Sequence, residues 1–489
     1  MNVAVALIAP TLSAAALAFL PADAYAEDAT GVLRRASSAM GAAQLKSIRY
    51  ATEGTGYTYG QAFKPGAPWP KIKVHSQVRS IDYDSASMRE EITLSRDEPK
   101  GGGGYPLTGQ QRNDQFLSGD YAWNQAGNNA VPGPRFVVDR VHQLWITPHG
   151  VIKAALRNNA TLQWRTQDGR SLAAVSYTEP GRYAATAFIN EDYLVERVES
   201  RLPDPVLGET TAVTRYSDYR DFGGIQFPAR VRQSQGGFPV LDVSVKEVQP
   251  NAPVDIALPD AVRSATERVS ADKVAEGVWF LAGGSHNSVA IEMKDHLVLV
   301  EAPLNDARSG AVIERVKALA PGKPIRYVIN SHSHFDHSGG LRAVAADGAT
   351  IVTQAGNKAY FERAFAVQNR LNPDRYAKSG KKPRFKAVND KLELGDGARS
   401  LVLHRITGGN HNDAFLLVHL PKEKLLIEAD VYTPSPPNAA PPATPNANNL
   451  TLVQNIERLR LPVDRILPLH GRVVPLAELY TTAKATMPR

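Results

Sequence analysis

The chain of 489 residues contains no cysteine. That absence removes thiolate metal ligands, cysteine nucleophiles and disulfide cross-links together, so burial and polar contacts must hold the fold. Long apolar runs are missing beyond the first 26 residues, and no membrane-spanning helix is expected downstream of them. Clustered basic charge is missing too. The formal charge of +7 is dispersed, with no interleaved basic–aromatic stripe, which argues against nucleic acid as a partner. Histidine is scarce, at 12 residues, so any crowding of it needs a reason.

Residues 1–26, "MNVAVALIAPTLSAAALAFLPADAYA", join an apolar run to the small-x-small pattern Ala24-Tyr25-Ala26. They are expected to be a signal peptide, giving a periplasmic or secreted protein with no stable membrane span after its removal. The remaining length exceeds one hydrophobic core, so two domains are expected.

From about residue 45 to 248 the chain reads as antiparallel β. Segments such as "KIKVHSQVRSIDYD" and "YLVERVESRL" are short, rich in Val, Ile and Tyr, and bounded by turn residues. Asp168-Gly169 signals a hairpin. One helical interruption is expected at "TPHGVIKAALRNN", opened by Pro148. The pattern loosely resembles the sheets of periplasmic lipoprotein carriers, which implies a lipid- or partner-binding module as an alternative role. "KGGGGYP" (Lys100–Pro106) lacks the Gly-Lys-Ser/Thr ending of a phosphate-binding loop. The proline-spaced stretch Gln249–Arg263 reads as a linker. It separates an N-terminal β-rich domain, 27–260, from a domain at 266–489 in which strands and helices alternate, an α/β pattern.

"VINSHSHFDHSGG" places three histidines and an aspartate within six residues, directly after the expected strand "IRYVIN". His332 and His334 lie two apart and point the same way from extended chain, while Asp336 and His337 follow on the turn. One loop thus offers ligand pairs to two neighbouring positions, an arrangement suited to two metal ions about 3.5–4 Å apart. Imidazole and carboxylate donors suit zinc, with manganese or iron as competitors.

This His-x-His-x-Asp-His motif resembles the signature of the metallo-β-lactamase fold, an αββα sandwich, over residues of about 270–489. "TGGNHNDAF" (His411), "LLIEADVYTP" (Asp430) and "ILPLHGR" (His470) continue the family pattern in order. The resemblance implies one zinc held by His332, His334 and His411, and a second held by Asp336, His337 and His470. Asp430 would bridge the two. It implies a hydrolase in which Asp336 also moves a proton, and it places Glu301 behind the ligands, where the family usually has aspartate. His286 and Tyr432 are candidates for facing the substrate. The Asp430 bridge resembles lactonases, the phosphodiesterase-type members and glyoxalase II, whereas lactamases of the His/Asp-only class generally lack it. The expected substrate is a small carbonyl compound: a lactone, ester or β-lactam. A phosphodiesterase and a mononuclear-iron persulfide dioxygenase are the alternatives. The Pro-rich stretch Tyr432–Asn446 leaves directly from Asp430 and is expected to form a lip of the site.

Overall fold

The computed structural model describes residues 28–98, 100–101, 107, 109–440 and 442–487. The expected signal peptide and most of the Gly-rich stretch lie outside these residues. Among the described residues, no helix is long and apolar enough to cross a membrane.

The N-terminal domain is built on an antiparallel sheet of 13 strands. Its first strand, β1 (Ser47–Tyr57), lies in the middle, paired with β2 (Lys71–Asp82) on one side and with the last strand, Phe238–Pro250, on the other. From β1 the chain meanders out to one edge at Asn129–Pro132. It re-enters at the opposite edge, Thr161–Gln167, and works back until it meets β1 again. Asp168 and Gly169 form the expected hairpin turn, both in the left-handed region at φ 50° and 77°, as such two-residue turns require.

Three helices cover one face of this sheet: Ala29–Ala39, Val137–Trp145 and Pro148–Arg157. They bury Val32, Leu33, Leu144, Trp145, Val151 and Ile152 against Val175, Tyr183 and Phe227. The helix at Pro148 begins as its sequence predicts, with proline in the first turn and the Thr147 hydroxyl accepting from the Gly150 amide at 3.2 Å. The sequence led us to expect one helical interruption in the β region, but Val137–Trp145 is a second. Its β-branched residues suggest strand, yet Val141, Leu144 and Trp145 are buried at helical spacing. The last strand also runs on through Pro250, so the connector begins inside the expected linker.

The C-terminal domain is the expected αββα sandwich. A sheet of seven strands faces one of six. Val289, Val298 and Ile329 from the first sheet pack on Leu403, Leu417 and Ile427 from the second. Helices Asp306–Leu319, Leu341–Asp347 and Ala355–Ala366 cover the first sheet, and Ala447–Leu459 and Leu476–Ala483 cover the second. The strand Ile325–Ile329 runs parallel to both its neighbours, Leu297–Val300 and Thr350–Gln354. Its carboxyl end opens outside the sheet, where α/β folds place their ligands. The two domains also share a core. Ala62, Trp69 and Val206 from the N-terminal domain are buried in one cluster with Phe335, Leu341 and Phe361.

Candidate metal centre

The motif loop starts where the strand Ile325–Ile329 stops. His332 and His334 lie on extended chain, and Asp336 and His337 sit in the single helical turn Phe335–Ser338. Gly339 and Gly340 let this turn press against its neighbours. A Cβ on Gly340 would stand 1.8 Å from the Ser309 hydroxyl, and one on Gly339 would stand 2.0 Å from the Leu304 carbonyl. Asp430 follows the strand Leu425–Glu428, and His470 follows Arg465–Pro468. Asp430 and Glu301 both adopt left-handed backbone, at φ 60° and 71°. That conformation is costly for residues other than glycine, and it recurs at functional sites.

The structure brings all seven expected ligands together, in two groups. His332, His334, His411 and Asp430 form the first, and His286, Asp336, His337 and His470 the second. Within each group the ligand atoms lie within 4.8 Å of one another. Asp430 stands between the groups. Its Oδ2 lies 3.2 Å from His332 Nε2, 3.1 Å from His411 Nε2 and 2.8 Å from His337 Nε2, while its Oδ1 lies 2.9 Å from His470 Nε2.

The outer nitrogens are committed elsewhere. His337 Nδ1 donates to Glu301 at 3.0 Å, and His332 Nδ1 contacts the Ser331 hydroxyl at 2.9 Å, which in turn donates to Glu301. His470 Nδ1 donates to the Ser285 carbonyl at 3.1 Å, and His334 Nε2 to the Ala62 carbonyl at 3.2 Å. Such bonds select the tautomer that presents the inner nitrogen as a lone pair. Glu301 is fully buried and lies behind two of these histidines.

This donor set fits a cation. Asp430 Oδ1 and Oδ2 and His334 Nδ1 are buried without a hydrogen-bond partner, and all three are potential ligand atoms. His332 and His411 aim Nε2 at each other across 3.2 Å, and His337 and His470 do so across 3.1 Å. Burial pushes His332 and His286 down to about 3, and His334 well below its usual range, so these imidazoles are neutral and ligand-competent. Burial alone would raise Asp430, but His337, His470 and His411 outweigh it and hold the carboxyl well below the usual range. His337 is the exception. Burial opposes its charge, yet Asp430 and Asp336 raise it well above an ordinary histidine. Without a cation, a proton on His337 takes over part of the cation's task.

Two expectations about the surroundings change. His286 stands inside the second group, with Nε2 3.1 Å from Asp336 Oδ2 and its ring 4.1 Å from that of His470. It is therefore a candidate ligand as well as a lining residue. Tyr432 does not face the site. It is 1% exposed, and its hydroxyl turns away to Glu478 and Thr482, 3.5 Å from each. The left-handed backbone of Asp430 turns the chain, and the ring tucks under helix Leu476–Ala483. The Pro-rich stretch does start beside the centre, because Pro434 lies against Gly471, next to His470. His75, His142, His149, His296, His404 and His419 join neither group. Sequence reasoning missed Gln61, whose side-chain amide reaches Asp336 from the other domain.

Comparison with known proteins finds a family match for the part of the chain that holds the site. Residues 281–470 match the model of the metallo-beta-lactamase superfamily. Among solved structures, the chain is similar to a metallo-beta-lactamase from Pontibacter korlensis (18% identity, 44% of this chain and 98% of that one, TM-score 0.34). It is also similar to one from Hirschia baltica (21%, 46% and 100%, 0.34). A third is the metallo-beta-lactamase FIM-1 from Pseudomonas aeruginosa in its mono-zinc form (20%, 44% and 93%, 0.32). Comparison with curated protein sequences gives no match. Residues 281–470, which carry every member of both ligand groups, form a domain of the metallo-β-lactamase superfamily.

Proposed function

We propose that this protein is an exported hydrolase that holds two zinc ions and cleaves a small carbonyl substrate: a lactone, an ester or a β-lactam. The observation that carries the reading is the position of Asp430, one buried carboxylate within 3.2 Å of imidazoles from both ligand groups. His332, His334 and His411 would hold one ion, Asp336, His337 and His470 the other, and Asp430 both. Such a pair of ions activates water near neutral pH and polarises a carbonyl oxygen.

The chain's own residues divide the remaining work. Most of the ligand side chains are sealed, but Asp336 and His470 keep 22% and 16% exposure and so mark the mouth. Asp336 is the acid–base group at that mouth. Its carboxylate is held anionic against burial by His337 and His286, so at the mouth it can accept a hydrogen bond and steer a proton toward a leaving group. The Pro-rich segment beside His470 offers mostly small neutral side chains, which suits an uncharged or apolar acyl group better than a polyanion.

Two measurements test this. Elemental analysis of the purified protein should find about two zinc per chain, and one iron with no zinc would replace the hydrolase by the oxidative alternative. A panel of lactones, β-lactams, aryl esters and phosphodiesters should give its highest rate on a carbonyl compound, and a dominant phosphodiesterase rate would overturn that part. Export is checked by N-terminal sequencing of secreted material, which should begin at Glu27.

A further inference from the structure

The motif residues His334, Phe335 and Asp336 are gripped in succession by the β1–β2 loop of the N-terminal domain. The Gly60 carbonyl accepts from the Phe335 amide at 3.1 Å, and the Phe63 carbonyl accepts from the Asp413 amide at 2.9 Å. The Ala62 carbonyl accepts from His334 Nε2 at 3.2 Å and from the Asn412 side chain at 3.3 Å. Gln61 Nε2 donates to Asp336 Oδ1 at 2.8 Å. Between the two ligands, the Phe335 ring lodges edge-on against Tyr59 and Trp69, at 5.3 and 5.6 Å. Gly60 has φ 78°, and a Cβ there would stand 2.5 Å from the Phe335 ring. The loop is as close to the motif as a backbone can come.

We propose that Gln61 and the Ala62 carbonyl are positioning groups for the metal centre, so that the N-terminal domain supports one ligand of each ion. The inference rests on the two-ion reading above and deepens it. With Nε2–H committed to Ala62, His334 has only Nδ1 to offer a metal, and Nδ1 is the buried atom that lacks a partner. With Oδ1 held by Gln61, Asp336 turns Oδ2 toward His286 and His337, into the second group. Neither contact comes from the metallo-β-lactamase domain itself. The β1–β2 loop therefore supports the metal centre from outside that domain.

The test uses full-length protein stripped of metal and reloaded with zinc or cobalt. Gln61→Ala should weaken the second ion about ten- to a hundredfold in chelator competition, leave the first within about twofold, and alter the visible spectrum of the dicobalt form. On the fastest panel substrate kcat should fall while KM holds. Gln61→Glu, nearly isosteric, removes the donor to Asp336 while keeping the packing, and should likewise alter the cobalt spectrum and lower kcat. It remains informative if the alanine variant unfolds. Lys246→Ala, at an exposed ion pair with Glu53 in the same sheet, should change none of these readings. Gln61 variants that fold, bind both ions as the parent does and keep its cobalt spectrum would overturn the proposal alone. A parent protein that takes up no ion would overturn the two-ion reading and this one with it.

Discussion

The two ligand groups meet at Asp430, which lies within 3.2 Å of imidazoles from each, and are otherwise built differently. His332, His334 and His411 are each at most 4% exposed, and the first two are neutral through burial. The second group carries the mouth, through Asp336 and His470, and contains His337, whose proton is favoured. The difference teaches that a dry group can bind an ion without first shedding a proton. A charged group at an opening must exchange a proton for its ion, and so responds to the medium.

The strongest way to break the comparison is to remove what the groups share. Asp430→Ala should take metal content from about two toward one, and turnover should fall by more than about a hundredfold, because a lost ligand costs more than a lost supporting contact. Metal analysis with steady-state kinetics checks this, and unchanged occupancy would show that Asp430 bridges nothing. Glu301→Gln acts from behind. Glu301 backs His337 directly and His332 through Ser331, so both affinities should fall about tenfold or more in chelator competition. A loss confined to the second ion would mean that the Ser331 relay is idle.

Lowering pH should separate the groups. The folded value of His337 is raised, so its protonation stabilises metal-free protein below about 6.5, its ordinary value, and that contribution is lost as pH rises through the folded value. A bound cation replaces the proton there. The gap in melting temperature between metal-loaded and metal-free protein should therefore widen from about pH 5.5 to 8. The second ion should leave before the first as pH falls. Calorimetry with metal analysis at each pH reads both effects, and simultaneous loss of the ions would erase the distinction. The smallest effect belongs to the lip. Replacing Ser435–Thr444 by a Gly-Ser segment should leave both ions in place and shift relative panel rates by less than about tenfold, or about 1.4 kcal/mol. An unchanged rate pattern would reduce the segment to a connector.

Much of the centre could be read in the sequence because its information is local. The motif from His332 to His337 is one strand end and one turn, and Asp430 and His470 follow apolar strands that are easy to recognise. Glu301 could be placed for the same reason. Tyr432 was misplaced because adjacency to Asp430 does not give direction, and the left-handed backbone at Asp430 sends its ring under a helix. Gln61 left no mark at all. Its partner is 275 residues away, and an isolated glutamine in a turn carries no periodicity or spacing to notice. In the N-terminal half, alternation revealed the sheet and Pro148 the helix after it. The Val137–Trp145 helix was hidden by its own β-branched residues.

The placing of β1 in mid-sheet, paired with a last strand that ends at Pro250, has a kinetic consequence. The β1–β2 loop is held in final position only when strands nearly two hundred residues apart have met. Such distant pairings form slowly, whereas the chain after Pro250 builds much of its sandwich from nearer neighbours. On refolding from denaturant, the ligand loop should therefore exist before the support that Gln61 and Ala62 give it. Tight capture of the second ion should then report the closing of a sheet in which none of its own ligands resides.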